Sequence, residues 1–369
     1  MAQPLKYIYN QDFFSKFLKA FEALYPGLDH GLFIHQVFAE DWDQLELKER
    51  MRRVTKVLHE VLSKNYKEDV QVLIRLIPEL IKEGFKPDLL EFIFLPDYIQ
   101  TYGLAYTRTS LHAMEKMTQF VSCEFAIRPF ILSDPDPTLQ IIRKWSTHTH
   151  PGVRRLASEG SRPRLPWAMG IPHLKKHLNQ ILAILENLKD DPSETVRRSV
   201  ANNLNDISKD HPHLVSELTR LWLNDSLERK RMLKHACRTL LMQGNVQVLE
   251  IFGFQNLKNI EISVFKIHTP KVKIGNNLEF SFQLRNIDTH ASLIRIEYGI
   301  YYLKANGQHY QKVFKISEKE CAAQSINNVE KKHSFRVITT RKYYRGKHFL
   351  SLILNGQELH KCSFELFSS

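Results

Sequence analysis

The hydrophobic period of this 369-residue chain changes near residue 250, and that change constrains the fold more than any other feature. Before it, apolar residues recur at three- and four-residue intervals. Asp12 to Leu24 places them at 13, 14, 17, 18, 21 and 24. Leu45 to Lys64 aligns Leu47, Met51, Val54, Val57, Leu58 and Val61 on one stripe, and Asp69 to Lys82 and Leu111 to Leu132 continue the theme. This spacing predicts amphipathic helices. Short connections carrying Pro or Gly separate them, at Tyr25-Pro-Gly, Gly84-Phe-Lys-Pro and Asp134-Pro-Asp-Pro. After the change, the chain alternates with period two and is rich in β-branched and aromatic residues. Strands are expected at 260–265, 278–284, 293–302, 312–316, 333–338, 346–354 and 359–367, with turn signals at Gly275-Asn-Asn, Ala305-Asn-Gly and Asn355-Gly. About seven short strands in about 110 residues favour an immunoglobulin-like sandwich. The Cys-Trp-Cys core of antibody domains is missing, so the architecture alone is expected. The resulting layout is an all-α region, residues 1–255, followed by an all-β sandwich, residues 256–369, with the seam somewhere in 248–260.

Within the helical region the chain repeats. His150-Pro-Gly-Val-Arg-Arg-Leu-Ala-Ser-Glu aligns with Ser193-Glu-Thr-Val-Arg-Arg-Ser-Val-Ala-Asn, a spacing of 43. Leu227 to Gly244 is a weaker third copy, and a helix over Leu174 to Leu188 supplies core between copies. Helix pairs at this period are a HEAT-type signal, and stacked pairs form a solenoid with a long concave surface. The copies separate scaffold from addition. Val153 matches Val196 and Arg155 matches Arg198, so these belong to the repeat. Glu159 matches Asn202, so the repeat does not demand a glutamate there. Arg162-Pro-Arg-Leu-Pro-Trp167 has no counterpart.

Helix 151–160 is framed by Pro151, which suits a first turn, and by Gly160, which suits a stop. Val153, Leu156 and Ala157 fall on one side; Arg155, Ser158 and Glu159 fall on the other. The expectation is an exposed Arg155–Glu159 pair at i,i+4, in the weaker orientation for stability. The pair is either an ordinary surface ion pair or a carboxylate set in a basic groove. Glu124, in Ser122-Cys-Glu-Phe-Ala-Ile-Arg-Pro-Phe130, lies one repeat earlier. It is a solvated helix glutamate or a second carboxylate brought beside the first. Trp167 is a core residue or a rigid aromatic wall.

Net charge is +12. Residues 258–369 hold 18 Lys and Arg against 9 Asp and Glu, and 143–176 hold eight basic residues against Glu159 alone. Two basic zones suggest a polyanion touched from two sides. In the helical region the candidates for phosphate contact are Arg154, Arg162, Arg164, Lys175 and Arg198. In the sandwich, Arg341, Lys342, Arg345 and Lys347 belong to the basic-aromatic run 341–347, which is either a solvated hairpin or a loop tip tracking phosphates or entering a minor groove. His148-Thr-His150 resembles a metal pair, but no further ligand set stands at metal spacing. There is no Gly-rich phosphate loop and no G-x-S-x-G elbow, which argues against nucleotide hydrolysis and serine hydrolase chemistry. The four cysteines are scattered, without a C-x-x-C pair, and fit a reducing cytosol. No apolar run approaches the roughly 20 residues of a membrane span, and the first residues lack the apolar core of a signal peptide. A cytoplasmic monomer without cofactor or metal is expected.

The run H-P-G-V-R-R-L-A-S-E-G-S-R-P-R-L-P-W, with S-C-E-F-A-I-R-P-F and the N-terminal helices, resembles the AlkC branch of the bacterial DNA alkylation repair glycosylases, the HEAT-like family that includes AlkD. The basic sandwich is similar to the immunoglobulin-like domain carried by one subgroup. The resemblance implies hydrolysis of the N-glycosidic bond of 3-methyladenine and 3-methylcytosine in duplex DNA, without swinging the nucleotide into a deep pocket. It implies Glu159 and Glu124 as carboxylates near the lesion, Trp167 as the aromatic contact, and Arg155 with its neighbours on the phosphates. Charge and repeats alone also fit a non-catalytic HEAT scaffold that binds DNA or an acidic protein. A metal hydrolase on His148 and His150 is a third reading.

Overall fold

A computed structural model describes residues 4–223, 226–254, 257–338 and 341–368. It contains sixteen α-helices among the described residues, followed from Ile260 by eight strands. The chain divides into two compact units. One comprises residues 1–210 with 225–236, the other 211–224 with 237–369.

The first unit is a stack of short helices. Its N-terminal core is aromatic: Phe13, Phe14, Phe17, Phe21, Phe33, Phe92 and Phe94 are all buried. Helix Leu47–Val61 opens with a reciprocal capping box between Glu46 and Glu49. The predicted helix over Leu111 to Leu132 is instead two helices, Thr107–Met117 and Ile127–Ser133, joined by a turn. Pro129 gives the reason. In a continuous helix it would remove an interior hydrogen bond; in a restarted helix it sits in the first turn, where no donor is needed. Glu124 therefore lies in the turn and not on a helix. Leu174 to Leu188 likewise splits into His173–Lys176 and Asn179–Leu188.

Helix Pro151–Gly160 has the expected start: the His150 side chain accepts from the Gly152 N–H, and Pro151 follows at the first position. Its end is differently made. Gly160 stays helical; a Cβ there would meet the Ile127 side chain at 2.6 Å. The glycine permits close packing rather than a left-handed stop. This helix packs against Pro135–Trp145 on one side and Glu194–Ile207 on the other, and the latter packs in turn against Leu227–Ala236.

In the second unit the strands are β1 (Ile260–Ile267), β2 (Lys271–Lys273), β3 (Asn277–Asn286), β4 (Ser292–Leu303), β5 (His309–Cys321), β6 (Ile326–Ser334), β7 (Gly346–Leu354) and β8 (Gln357–Phe367). They form two sheets, β1-β3-β6 and β2-β8-β7-β4-β5. Pairing is antiparallel except for β2 against β8. Inward residues of both sheets make the core, among them Phe280, Phe282, Ile296, Ile300, Leu350 and Leu352. β6 differs from expectation. Its sequence, INNVEKKHS, has no apolar alternation, yet it pairs along β3. The expected strand 333–338 lies mostly beyond it, with Val337 and Ile338 exposed. At the turns after residues 243 and 355, Gly244 (φ +69°) and Gly356 (φ +76°) meet backbone to backbone. A Cβ on Gly356 would lie 2.2 Å from the Gly244 Cα.

No helix among the described residues is long and apolar enough to cross a membrane. The four cysteines are free, three of them buried and Cys362 exposed.

Candidate functional site

The segment after helix 151–160 carries the site, and a buried arginine fixes it. Arg128 is fully enclosed. It donates to the carbonyls of Gly160 (3.1 Å), Arg162 (2.8 Å) and Met169 (2.7 Å). Burial, followed by the neighbouring Arg162 charge, pushes its guanidinium down to about 10. The segment ends on Trp167, whose backbone is left-handed (φ +63°). Lys48 donates to the Trp167 carbonyl. Trp167 is 63% exposed and is not a core residue.

Glu124 and Glu159, 35 residues apart in sequence, line one cavity of about 390 Å³ with Trp167, Ser122, Phe125, Arg162 and Asp88. The pairing inside it differs from the expected Arg155–Glu159 bridge. Glu159 is 6% exposed, because helix 194–207 packs on the face expected to be solvated. Its Oε1 accepts from Arg162 Nη1 at 2.5 Å and its Oε2 from Ser199 Oγ at 2.6 Å. Arg162 Nε reaches Asp206 at 2.9 Å. Burial alone would lower Arg162, but Glu159 and Asp206 outweigh it and raise the guanidinium. Arg155 turns the other way. Its Nη2 donates to Glu124 Oε2 (2.8 Å) and its Nη1 to Ser122 Oγ (3.0 Å). Ser122 Oγ also donates to that same Glu124 oxygen at 2.9 Å. Each glutamate thus has its own arginine and its own serine.

Several expected phosphate contacts are occupied within the protein. Arg154 grips both Asp191 oxygens (2.5 and 2.9 Å) and donates to the carbonyls of His148 and Thr149. Arg162 is the buried ion just described. Arg164 pairs with Asp210 at 2.6 Å while remaining partly exposed. Lys175 is half-buried on the short helix 173–176. Arg198 is exposed and lines a groove of about 440 Å³ with Arg197, Arg231, His235, Glu194 and Glu228. In the sandwich, Arg341 lies 4.5 Å over the Tyr302 ring, Lys342 lies 5.5 Å from Tyr344, and Lys347 lies 5.6 Å from Phe349. Arg345 is exposed.

The histidine pair serves the backbone: His148 Nδ1 accepts from the His150 N–H, and His150 Nδ1 from Gly152. Burial, helped by His148 and Arg154, lowers the His150 ring below its usual range. Among the described residues no three His, Cys, Asp or Glu side chains gather as a metal site.

Sequence reasoning missed Arg128, Ser122, Ser199, Asp206 and Lys48. Arg128 had a signal: an arginine inside the apolar run Ala126-Ile-Arg-Pro-Phe-Ile131 must have buried partners. Asp206 had none, since its partner comes from another repeat.

A family model described as DNA alkylation repair enzyme matches residues 46–240. A second, described as the C-terminal Ig-like domain of protein YhaZ, matches residues 261–368. The chain is 42% identical to YhaZ of Bacillus subtilis (strain 168) over 362 residues, 98% of this chain and 99% of that one. Its fold matches a solved alkylpurine DNA glycosylase, AlkC of Pseudomonas fluorescens, bound to DNA containing an abasic site analogue. The TM-score is 0.93 at 33% identity, covering 99% of this chain and 100% of that chain. The chain belongs to the DNA alkylation repair enzyme family and carries that family's helical-repeat region followed by an immunoglobulin-like domain.

Proposed function

We propose that this protein is a DNA glycosylase that removes cationic alkylated bases, 3-methyladenine and 3-methylcytosine, from duplex DNA without deep base flipping, the first step of base excision repair. One observation carries the reading: Glu124 and Glu159 line a single cavity whose wall is the exposed Trp167. N3-methylation makes the base a cation and hence a good leaving group. The C1′–N bond breaks with its electron pair moving to the base, which leaves neutral. The sugar becomes an oxocarbenium ion, water adds at C1′, and a carboxylate takes the water's proton. Such a reaction needs fixed negative charge and a positioned water more than a strong acid. The indole face also favours a cationic base over a neutral one. No metal or cofactor enters these steps.

The arginines of the site have divided roles. Arg155 and Arg162 hold the two carboxylates in place, and Arg198 with Arg231 supplies the grip on phosphates. The sandwich, through Arg341, Lys342, Arg345 and Lys347, adds a further anchor on the duplex.

The test is release of free base from methylated duplex DNA by the purified protein. Glu159→Gln is expected to bind DNA normally while base release falls about 10²-fold or more. Release at the normal rate by that variant would overturn the mechanism. No release by the natural protein under any condition would favour a binding scaffold.

A further inference from the structure

Each glutamate of the cavity is matched by an arginine, Glu124 by Arg155 and Glu159 by Arg162, which it shares with Asp206, itself paired with Lys209. A cavity selecting a positive base over a neutral one needs negative charge that is not already balanced. Asp88 supplies it. It lines the same cavity from an exposed turn, where among the described residues its carboxylate has no hydrogen bond and no ion pair within the protein and only water screens it. The nearby His150 is not a counter-ion, since burial favours its neutral ring and its Nδ1 accepts from the backbone.

The backbone at Asp88 argues that the carboxylate is an addition to the turn, not a part of its construction. Asp88 has φ +64°, in the left-handed region, directly after Pro87. Its N–H donates to the Phe120 carbonyl at 2.8 Å, which fixes the turn against the helix ending at Met117. A left-handed position accepts glycine or asparagine as readily as aspartate. Aspartate in a turn commonly bonds the backbone two residues on, and no such bond is present here. The position therefore asks for a residue that tolerates its dihedral angle and has no structural use for a charge.

We infer that Asp88 is the charge-selecting residue of the cavity: its uncompensated carboxylate faces the cationic base and the sugar cation that forms as the base departs. The inference rests on the glycosylase reading and adds a third carboxylate to it, with a different task. Glu124 and Glu159 are held rigidly by their arginines; Asp88 sets the net sign of the cavity.

The experiment compares two duplexes in binding, one with a cationic pyrrolidine in place of the target deoxyribose and one with the neutral tetrahydrofuran analogue. The natural protein is expected to bind the cationic duplex about tenfold more tightly. Asp88→Asn and Asp88→Gly both keep the left-handed turn, so neither is expected to unfold the site, and both should bring the two affinities to within about twofold. Release of 3-methyladenine should fall by about tenfold in both variants, while binding to undamaged duplex is not weakened. Asp88→Glu should recover part of the preference. An unchanged ratio of affinities in Asp88→Asn overturns the inference, as does the absence of any preference in the natural protein. Base release by the natural protein is measured in parallel. If it proceeds and the ratio is unmoved, Asp88 alone is misassigned; if it does not proceed, the glycosylase reading itself has failed.

Discussion

Helices 151–160 and 194–207 start from nearly the same sequence and end up with different jobs. The first arginine of each Val-Arg-Arg does one thing in both. Arg154 Nη1 donates to the carbonyls six and five residues before it, His148 and Thr149; Arg197 Nη1 does the same to Asp191 and Pro192. This is a clamp that closes the loop entering each helix. The second arginine diverges. Arg155 holds Glu124, whereas Arg198 lies exposed in a groove with Arg231 and His235. The residue four further on diverges more. Glu159 is buried against Arg162 and Ser199, whereas Asn202 meets His235 at 3.1 Å. A duplicated helix thus kept its folding device, and its specialisation lies in the positions the device does not use.

Three experiments break or sharpen that contrast. The largest effect is expected from Arg162→Met. It strands the buried carboxylate of Glu159 and leaves Asp206 with Lys209 as its one remaining ion-pair partner among the described residues, and should cost about 3–5 kcal/mol of stability in denaturant unfolding. A loss under 1 kcal/mol would mean that the ion cluster is not structural. Next come Arg154→Ala and Arg197→Ala. Each removes two hydrogen bonds to loop carbonyls and should lower stability by about 1–3 kcal/mol. Arg154 should cost more, since it also releases Asp191. A large penalty at one site and none at the other would refute the shared clamp. The smallest effects separate the second arginines. Arg155→Ala should slow base release by about tenfold, because Glu124 loses its anchor. Arg198→Ala should instead weaken DNA binding and lower the slope of log affinity against log salt by about one. Equal salt slopes in the natural protein and Arg198→Ala would remove Arg198 from the phosphate contacts.

The fold was legible because it rests on local periodicity. Helical and alternating segments differ in hydrophobic period, and the repeat disclosed the solenoid. What failed locally failed for identifiable reasons. The break before Ile127 depended on one proline within an otherwise helical pattern. β6 had no pattern at all, since its place in the sheet comes from β3. The candidate site was legible in part: Glu159 and Trp167 were marked by differing from the repeat or by standing outside it, and Glu124 by its motif Ser122-Cys-Glu-Phe-Ala-Ile-Arg-Pro-Phe130. Their partners were not. A helical wheel placed Glu159 in water because it represents one helix, and Ser199 and Asp206 arrive from the next. Arg154 and Arg162 were counted as surface charge for the same reason. Basic residues can be counted in a sequence, but whether a carboxylate waits opposite them is a tertiary fact.

The backbone contact between Gly244 and Gly356 bears on how this protein could be taken apart. Neither position admits a side chain, so the loop Gln243–Gly244 and the hairpin Asn355–Gly356 must be chosen together. The last helices and the strands are one inheritance, although their secondary structure changes between Ile251 and Ile260. A graft cut at that change would carry half of an interface. Exchange of the sandwich between relatives should keep helix Val246–Ile251 and the turn at Gly244 with the donor strands, and the pair of glycines can be read in a relative's sequence as the sign that the same seam is present.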